Sequence, residues 1–274
     1  MKRLGIDFGA SVMDVALEDD GEIVQTWYFP SGTFACSDAG LKLLLVELNL
    51  GRLDEVVATG GRSAFLADAV AATPLRKIGE ITAIASGIRK LANYAKPMLG
   101  VCMGTGTAMI YDDGKQSTFL GGSAVGGGTL LGLGKLLLGT EDYDKIAALA
   151  RLGHADQIDL TIADIVGSSI GKLAGDVVAS HFGKVLKKAD NARADIAAGL
   201  IHLIAETVAL IAMGQARQFG LDEAMVVGRL SENKQMQTMI MRSGRDHDFR
   251  FVLIAQASLA TVIGALADRH SNGD

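Results

Sequence analysis

The chain has 274 residues, 49% of them hydrophobic, with 34 glycines and only three prolines, enough apolar material for one large core or two modest ones. Acids and bases are interspersed around a net charge of −5, which excludes the basic footprint of a nucleic-acid binder. Two cysteines, Cys36 and Cys102, are too few and too far apart for a disulfide framework or a zinc site.

Met1-Lys2-Arg3 leads into a strand without a signal-peptide pattern, and charges or glycines interrupt each apolar run before membrane-spanning length. A cytoplasmic protein with no membrane segment is expected. Leu4 to Phe8 reads as a strand that ends in the small-residue turn Gly9-Ala10-Ser11. Val12 to Glu18 and Glu22 to Phe29 follow as strands around the turn Asp19-Asp20-Gly21. Asp7 at the mouth of this hairpin is either a strand-end residue satisfying backbone N–H groups or a carboxylate that holds Mg²⁺ against phosphates.

Ser37 to Leu48 has helical spacing, with Ser37 and Asp38 as caps. Glu55 to Thr59 is a parallel strand that runs into Gly60-Gly61-Arg62, where open α/β sheets bind ligands. Ser63 to Ala71 is expected to be a short helix, Thr73-Pro74 a break, and Leu75 to Ile78 a short strand. Glu80 opens a helix running to Leu91; it is either a first-turn carboxylate favoured by the helix dipole or a general base presented at a cleft.

Lys96-Pro97 marks the expected boundary between two halves, 1–97 and 98–274. The second half repeats the organisation of the first: Leu99 to Met103, the turn Gly104-Thr105-Gly106, then Thr107 to Tyr111, Asp112-Asp113-Gly114 and Gln116 to Leu120. This predicts an internal duplication. Gly121-Gly122 leads to Gly126-Gly127-Gly128 and a helix through Leu138. Glycines that allow close backbone approach, together with a helix N-terminus, predict a nucleotide phosphate site on these two Gly-rich stretches.

Asp142 to Leu152 reads as a helix, Thr161 to Val166 is ambiguous, and Gly175 to Gly183 is a small-residue loop. Arg193 to Phe219 is a long, mostly buried helix. Its His202 and Glu206, spaced i,i+4, form an ion pair or a metal pair; with no third ligand in view, the expectation is a structural pair. Glu223 to Gly228 is a strand entering a turn, and a strand at Phe249 to Ile254 precedes the closing helix Ala255 to Ala267.

In this order the motifs resemble the acetate and sugar kinase/Hsp70/actin superfamily and, within it, the type II pantothenate kinases. The resemblance is carried by Gly5-Ile6-Asp7-x-Gly9, Thr59-Gly60-Gly61, Gly79-Glu80, Gly104-Thr105-Gly106-Thr107, the Gly126-Gly127-Gly128-Thr129 run, Val178-Ala179-Ser180-His181-Phe182-Gly183 and Val227-Gly228. It implies an α/β fold of two actin-like (ribonuclease H-like) lobes, with mixed sheets flanked by helices and a nucleotide cleft between them. It implies ATP and Mg²⁺ as cofactors, pantothenate as the small-molecule acceptor, a homodimer, and Glu80 as the catalytic carboxylate. Asp7 would position the metal; Gly9, Ala10, Ser11, Gly104, Thr105, Gly106, Thr107, Gly126, Gly127, Gly128 and Gly228 would hold the nucleotide. Gly121, Gly122, Val178 and Ala179 would meet the acceptor.

Four positions depart from the family pattern. Phe119 stands where the family has Arg before the Gly-rich helix, Asp14 replaces a basic residue, Gly9-Ala10-Ser11 replaces Gly-Gly-Thr, and Gln256-Ala257-Ser258-Leu259-Ala260 lacks a glycine. Arg62 or Lys115 is a candidate substitute for the lost Arg. The departures keep two other readings open: a catalytically weak regulatory homologue that binds nucleotide or acyl-CoA, and an ATP-driven activase with an iron–sulfur cluster.

Overall fold

The computed structural model describes residues 1–171, 174–187 and 191–268. Strands β1 (Lys2–Phe8), β2 (Val12–Asp19) and β3 (Glu22–Pro30) form an antiparallel meander. Helix α1 (Asp38–Leu48) follows, capped by the Ser37 hydroxyl as expected. Strand β4 (Glu55–Thr59) then pairs parallel to β1, and β6 (Thr73–Lys77) parallel to β4, with the two-residue β5 (Ala69–Val70) at the edge. The order is β3-β2-β1-β4-β6-β5.

After α2 (Glu80–Ala92) the plan repeats. Strands β7 (Met98–Met103), β8 (Thr107–Asp112) and β9 (Ser117–Gly122) form a second meander. Helices α3 (Gly127–Leu138) and α4 (Tyr143–Leu152) come next, then the small pair β10 (Leu160–Thr161) and β11 (Val178–Ser180) with α5 (Ile162–Val166) between them. Helix α6 (Arg193–Gln218) leads to β12 (Glu223–Val227), α7 (Lys234–Asp246), β13 (Arg250–Leu253) and α8 (Ala260–Ala267). The second sheet runs β9-β8-β7-β12-β13, so each sheet places a meander beside two parallel strands. The expected duplication is present in the topology.

Three local expectations need correction. Only Ser63–Phe65 is helical in the 63–71 stretch, as one 3-10 turn, because the Ser63 N–H and hydroxyl both bond the Gly60 carbonyl and tighten it. Pro74 lies inside β6 rather than breaking it, a position tolerated beside so short an edge strand. Within the 175–183 loop, Val178–Ser180 forms a strand, while Thr161 caps α5 reciprocally with Asp164.

The strands before and after Pro97 lie in separate sheets, whereas the helices cross between them. Helix α2, which ends the first half, reaches β7, β8 and β9 of the second sheet, and α8, which ends the second half, lies on β1, β2 and β4 of the first. Gly5 on β1 makes room for Leu266 of α8, and Gly100 on β7 makes room for Ile88 of α2. The two helices then cross each other through Gly87 and Gly264, so the halves are joined by exchanged helices. Helix α6 is long and apolar enough to cross a membrane, contrary to the reading that no run is, yet 67% of its most apolar window is buried inside the molecule. It packs against α3, α4 and α7 as a core helix.

Candidate nucleotide and acceptor cleft

The two Gly-rich hairpin turns, 94 residues apart in the chain, meet at the C-terminal ends of β1 and β7. Ser11 Oγ and Thr105 Oγ1 lie 2.8 Å apart. Behind each turn sits a matching element from the neighbouring parallel strand. Gly60 follows β4 at φ +93°, and a Cβ there would stand 2.6 Å from the Phe8 carbonyl oxygen. Gly228 follows β12 at φ +93°, and its Cβ would stand 2.5 Å from the Met103 oxygen. In both turns a serine three residues later, Ser63 or Ser231, returns its hydroxyl to the glycine carbonyl. The Gly-x-x-Ser repeat is the sequence signal that linear reading missed; it becomes meaningful once the two strand ends are superposed.

Asp7 and Cys102 occupy equivalent places, each one residue before the strand end that the glycine covers. Cys102 senses the charges of Asp7 and Glu80, which with desolvation push its thiol up to about 12. Asp7 itself is pushed up to about 8 by burial and by the charges of Glu80 and Asp14. Among the described residues its carboxylate has no hydrogen-bond or ion-pair partner. Thr59, opposite Asp7 in the β1–β4 register, carries a buried hydroxyl that also lacks a partner. A buried carboxylate beside an unsatisfied hydroxyl and a second acid is a donor set suited to a hydrated hard cation such as Mg²⁺.

Glu80 is the first residue of α2, exposed, and its carboxylate is free of hydrogen bonds among the described residues. A Cβ on Gly61 would stand 3.9 Å from Glu80 Oε2, so the Gly60-Gly61-Arg62 turn borders it. Arg62 is exposed on this rim, and among the described residues its guanidinium hydrogen-bonds only the Ser31 hydroxyl, at 3.3 Å. Lys115 belongs to the turn at the opposite end of the six-residue β8, ~20 Å from the Gly104-Thr105-Gly106 end, and does not replace the family Arg. Phe119 is exposed on β9 opposite Ile110.

The α3 glycines have a different task from the one expected. The Gly127 N–H donates to the Gly104 carbonyl and the Gly128 N–H to that of Thr105, both at 2.8 Å. A Cβ at Gly126 would meet Gly106 and Thr105 backbone at 2.8 Å. This helix start therefore buttresses the Gly104–Gly106 turn, and those two N–H groups are not free for phosphate. Thr107 is buried with its hydroxyl donating to the Val125 carbonyl, a second brace. Gly121, at φ +113°, and Gly122, packed on the Thr107 oxygen, stay beside the turn. Gly9, Ala10 and Ser11 remain accessible in the mouth. Val178 lines a cavity of about 520 Å³ against α4, α6 and α7, whose described lining includes no residue of the cleft.

The acid at position 14 is compensated rather than turned away. Asp14 on β2 pairs with Arg229, which follows β12 in the other half and lies 5.4 Å over the Tyr28 ring. Burial raises the Asp14 pKa, and the Arg229 guanidinium pulls it back. The pair ties the two halves together across the cleft. Asp14→Ala and Arg229→Ala together should destabilise the fold by less than the sum of the single changes, with a coupling of about 0.5–3 kcal/mol in denaturant unfolding; strict additivity would refute the bridge. The glycine-less 256–260 turn likewise keeps its shape, because Gln256 itself adopts φ +56° and the Ala257 carbonyl accepts the Gly228 N–H.

A family model described as Fumble matches residues 45–244. The chain is 29% identical to a type II pantothenate kinase of Oceanobacillus iheyensis over 273 residues, covering 97% of this chain and 99% of that one. It is 27% identical to the Staphylococcus epidermidis enzyme of the same name, covering 96% and 99%. Among solved structures it resembles the ADPNP-bound activator of 2-hydroxyisocaproyl-CoA dehydratase from Clostridium difficile (TM-score 0.64, 18% identity, 97% and 93% coverage). It also resembles a ROK family glucokinase from Streptomyces griseus with glucose and AMPPNP (TM-score 0.62, 13% identity, 97% and 98% coverage). The fold is accordingly the two-lobed actin-like fold, with mixed sheets flanked by helices.

Proposed function

The chain belongs to the Fumble family, and from that premise we propose that it is an ATP-dependent kinase acting on the primary hydroxyl of pantothenate, in coenzyme A biosynthesis. The observation that carries the reading is the meeting of the Ser11 and Thr105 turns, with Asp7 and Glu80 at the same mouth. The backbone N–H groups of Gly9, Ala10, Ser11, Thr105 and Gly106 receive the phosphates, while the Gly104 N–H closes its own turn on the Gly106 carbonyl at 2.9 Å. Gly228 and the 256–260 turn flank the adenosine. Gly121 and Gly122 border the acceptor, and Glu80 takes the proton of its hydroxyl. Asp7, with the neighbouring Thr59 hydroxyl, would hold Mg²⁺, which would supply charge neutralisation to the phosphates.

Arg62 stands beside Glu80 without a carboxylate partner among the described residues, and we assign it the acceptor's carboxylate. Release of ADP on addition of pantothenate tests the reading; no turnover with pantothenate or pantetheine would remove it. Arg62→Ala should raise KM for pantothenate about tenfold or more with little change in kcat, as expected for loss of a charged hydrogen bond of about 1.5–3 kcal/mol. An unchanged KM would release Arg62 from this role. The enzyme is proposed to be cytoplasmic and to work as a homodimer, for which exposed Leu210, Ile211 and Phe219 around the end of α6 offer an apolar face.

The regulatory reading now rests on Phe119 alone, since Arg229 answers the charge of Asp14. The iron–sulfur reading is weaker still. Cys36 packs on the first-sheet core and Cys102 on the α2 side of the second, and burial raises both thiols away from the thiolate form that a cluster needs.

A further inference from the structure

The His202–Glu206 pair, read from sequence as lacking a third ligand, has two more partners in the fold. Asp159 follows the 3-10 turn Ala155–Gln157, and His181 follows β11. Asp159 Oδ2 lies 2.8 Å from His202 Nδ1 and 3.2 Å from His181 Nδ1, and Asp159 Oδ1 accepts the Phe182 N–H at 2.9 Å. The two rings stand nearly perpendicular, with centroids 5.1 Å apart. Their other nitrogens face one carboxylate: Glu206 Oε2 is 2.9 Å from His181 Nε2 and 3.9 Å from His202 Nε2. That oxygen is buried yet forms no aligned hydrogen bond. Asp159 is fully buried and His202 nearly so, and both open on the cavity of about 520 Å³.

The geometry points to a binding site for one Zn²⁺-class divalent cation, ligated by Asp159 Oδ2, His181 Nδ1 and His202 Nδ1, with Glu206 orienting both imidazoles from behind. Four-coordinate zinc with bonds of about 2.0–2.1 Å sets its ligand atoms ~3.3 Å apart; Asp159 Oδ2 already lies 2.8 and 3.2 Å from the two Nδ1 atoms, and one ligand atom of each residue lies within 4.8 Å of the others. Two imidazole nitrogens with one carboxylate oxygen suit zinc rather than Mg²⁺ or Ca²⁺, which take oxygen ligands. A histidine that binds metal through one nitrogen usually donates its other N–H to a carboxylate, which is the place Glu206 occupies for His181 at 2.9 Å, with His202 Nε2 farther off at 3.9 Å. The cavity lined by Asp159 and His202 offers an entry path for the ion. The ion would staple the 155–187 segment to α6, a task separate from the Mg²⁺ of the cleft.

The test is calorimetric titration of chelator-stripped, dialysed full-length protein with Zn²⁺, with metal analysis after gel filtration. One equivalent is expected, retained in millimolar Mg²⁺, and Co²⁺ in its place should give the intense visible bands of a four-coordinate ion. His202→Asn should weaken Zn²⁺ binding by ~100-fold or more, and Glu206→Gln by about 10–100-fold. Circular dichroism of the metal-free variants checks that they fold. Failure of the wild-type protein to retain one equivalent overturns the proposal and leaves an ion-pair staple with a proton between the carboxylates. Wild-type affinity in both folded variants overturns it equally, since the ion would then sit elsewhere.

Discussion

Glu80→Gln should leave ATP binding unchanged and shift unfolding by no more than about 1 kcal/mol, while lowering kcat with pantothenate by about 10²–10⁴-fold, the usual worth of a positioned general base. The separation of effects follows from the site. The Glu80 carboxylate makes no hydrogen bond among the described residues, so the isosteric amide disturbs no contact. It also lies at the first turn of α2, where losing a negative charge costs only the helix-dipole contribution of about 0.3–1 kcal/mol. Proton removal from the acceptor is the one task the amide does not perform. Steady-state ADP release alongside ATP calorimetry separates the two. A kcat within threefold of wild type would demote Glu80 to a helix-start acid and move the base elsewhere in the cleft.

Gly87→Ala should destabilise the protein by roughly 2–3 kcal/mol, the scale of a core overpacked against rigid neighbours. The sign is the informative part. At an ordinary helix interior, replacing glycine by alanine stabilises by ~1 kcal/mol. Here a Cβ on Gly87 would stand 1.8 Å from the Ala260 carbonyl oxygen, and one on Gly264 1.8 Å from that of Ala83. Both obstacles are backbone of the facing helix and have no rotamer by which to yield. The exposed Gly132 of α3 meets nothing within 4 Å, so Gly132→Ala is the control that should stabilise. At this chain length the Gly87→Ala loss corresponds to a fall in Tm of several degrees. A Gly87→Ala protein as stable as the control would mean that the α2–α8 crossing is looser than drawn. Because that crossing joins the exchanged helices, the same change should also loosen the cleft and weaken ATP binding.

Both predictions depend on how different layers of information are stored in the chain. Period-2 hydrophobic alternation and Gly/Asp turns make the two meanders legible, since a hairpin is fixed by residues that are near neighbours. The duplication, the Gly-rich turns and the first-turn position of Glu80 are legible for the same reason. The helix exchange was not. Nothing local in Gly87 or Gly264 distinguishes a helix crossing from a weak helix position, and only the facing backbone reveals the need for glycine.

The same division runs through the cleft and the histidine cluster. Asp14 looks in sequence like a lost cation, because its compensating Arg229 is 215 residues away. His202 looks like half of a pair, because Asp159 and His181 reach it only when the 155–187 segment folds against α6. Val178 and Ala179 look like acceptor residues by motif, and the fold places Val178 in a different cavity. Most of the elements and their duplicated order are written in the sequence, because propensity, capping and turn geometry act over a few residues. Tertiary structure alone decided which charges are answered, which glycines are obligatory and which donors remain free for a ligand. Those depend on atoms brought within a few ångströms from distant parts of the chain, where excluded volume and low dielectric fix the outcome.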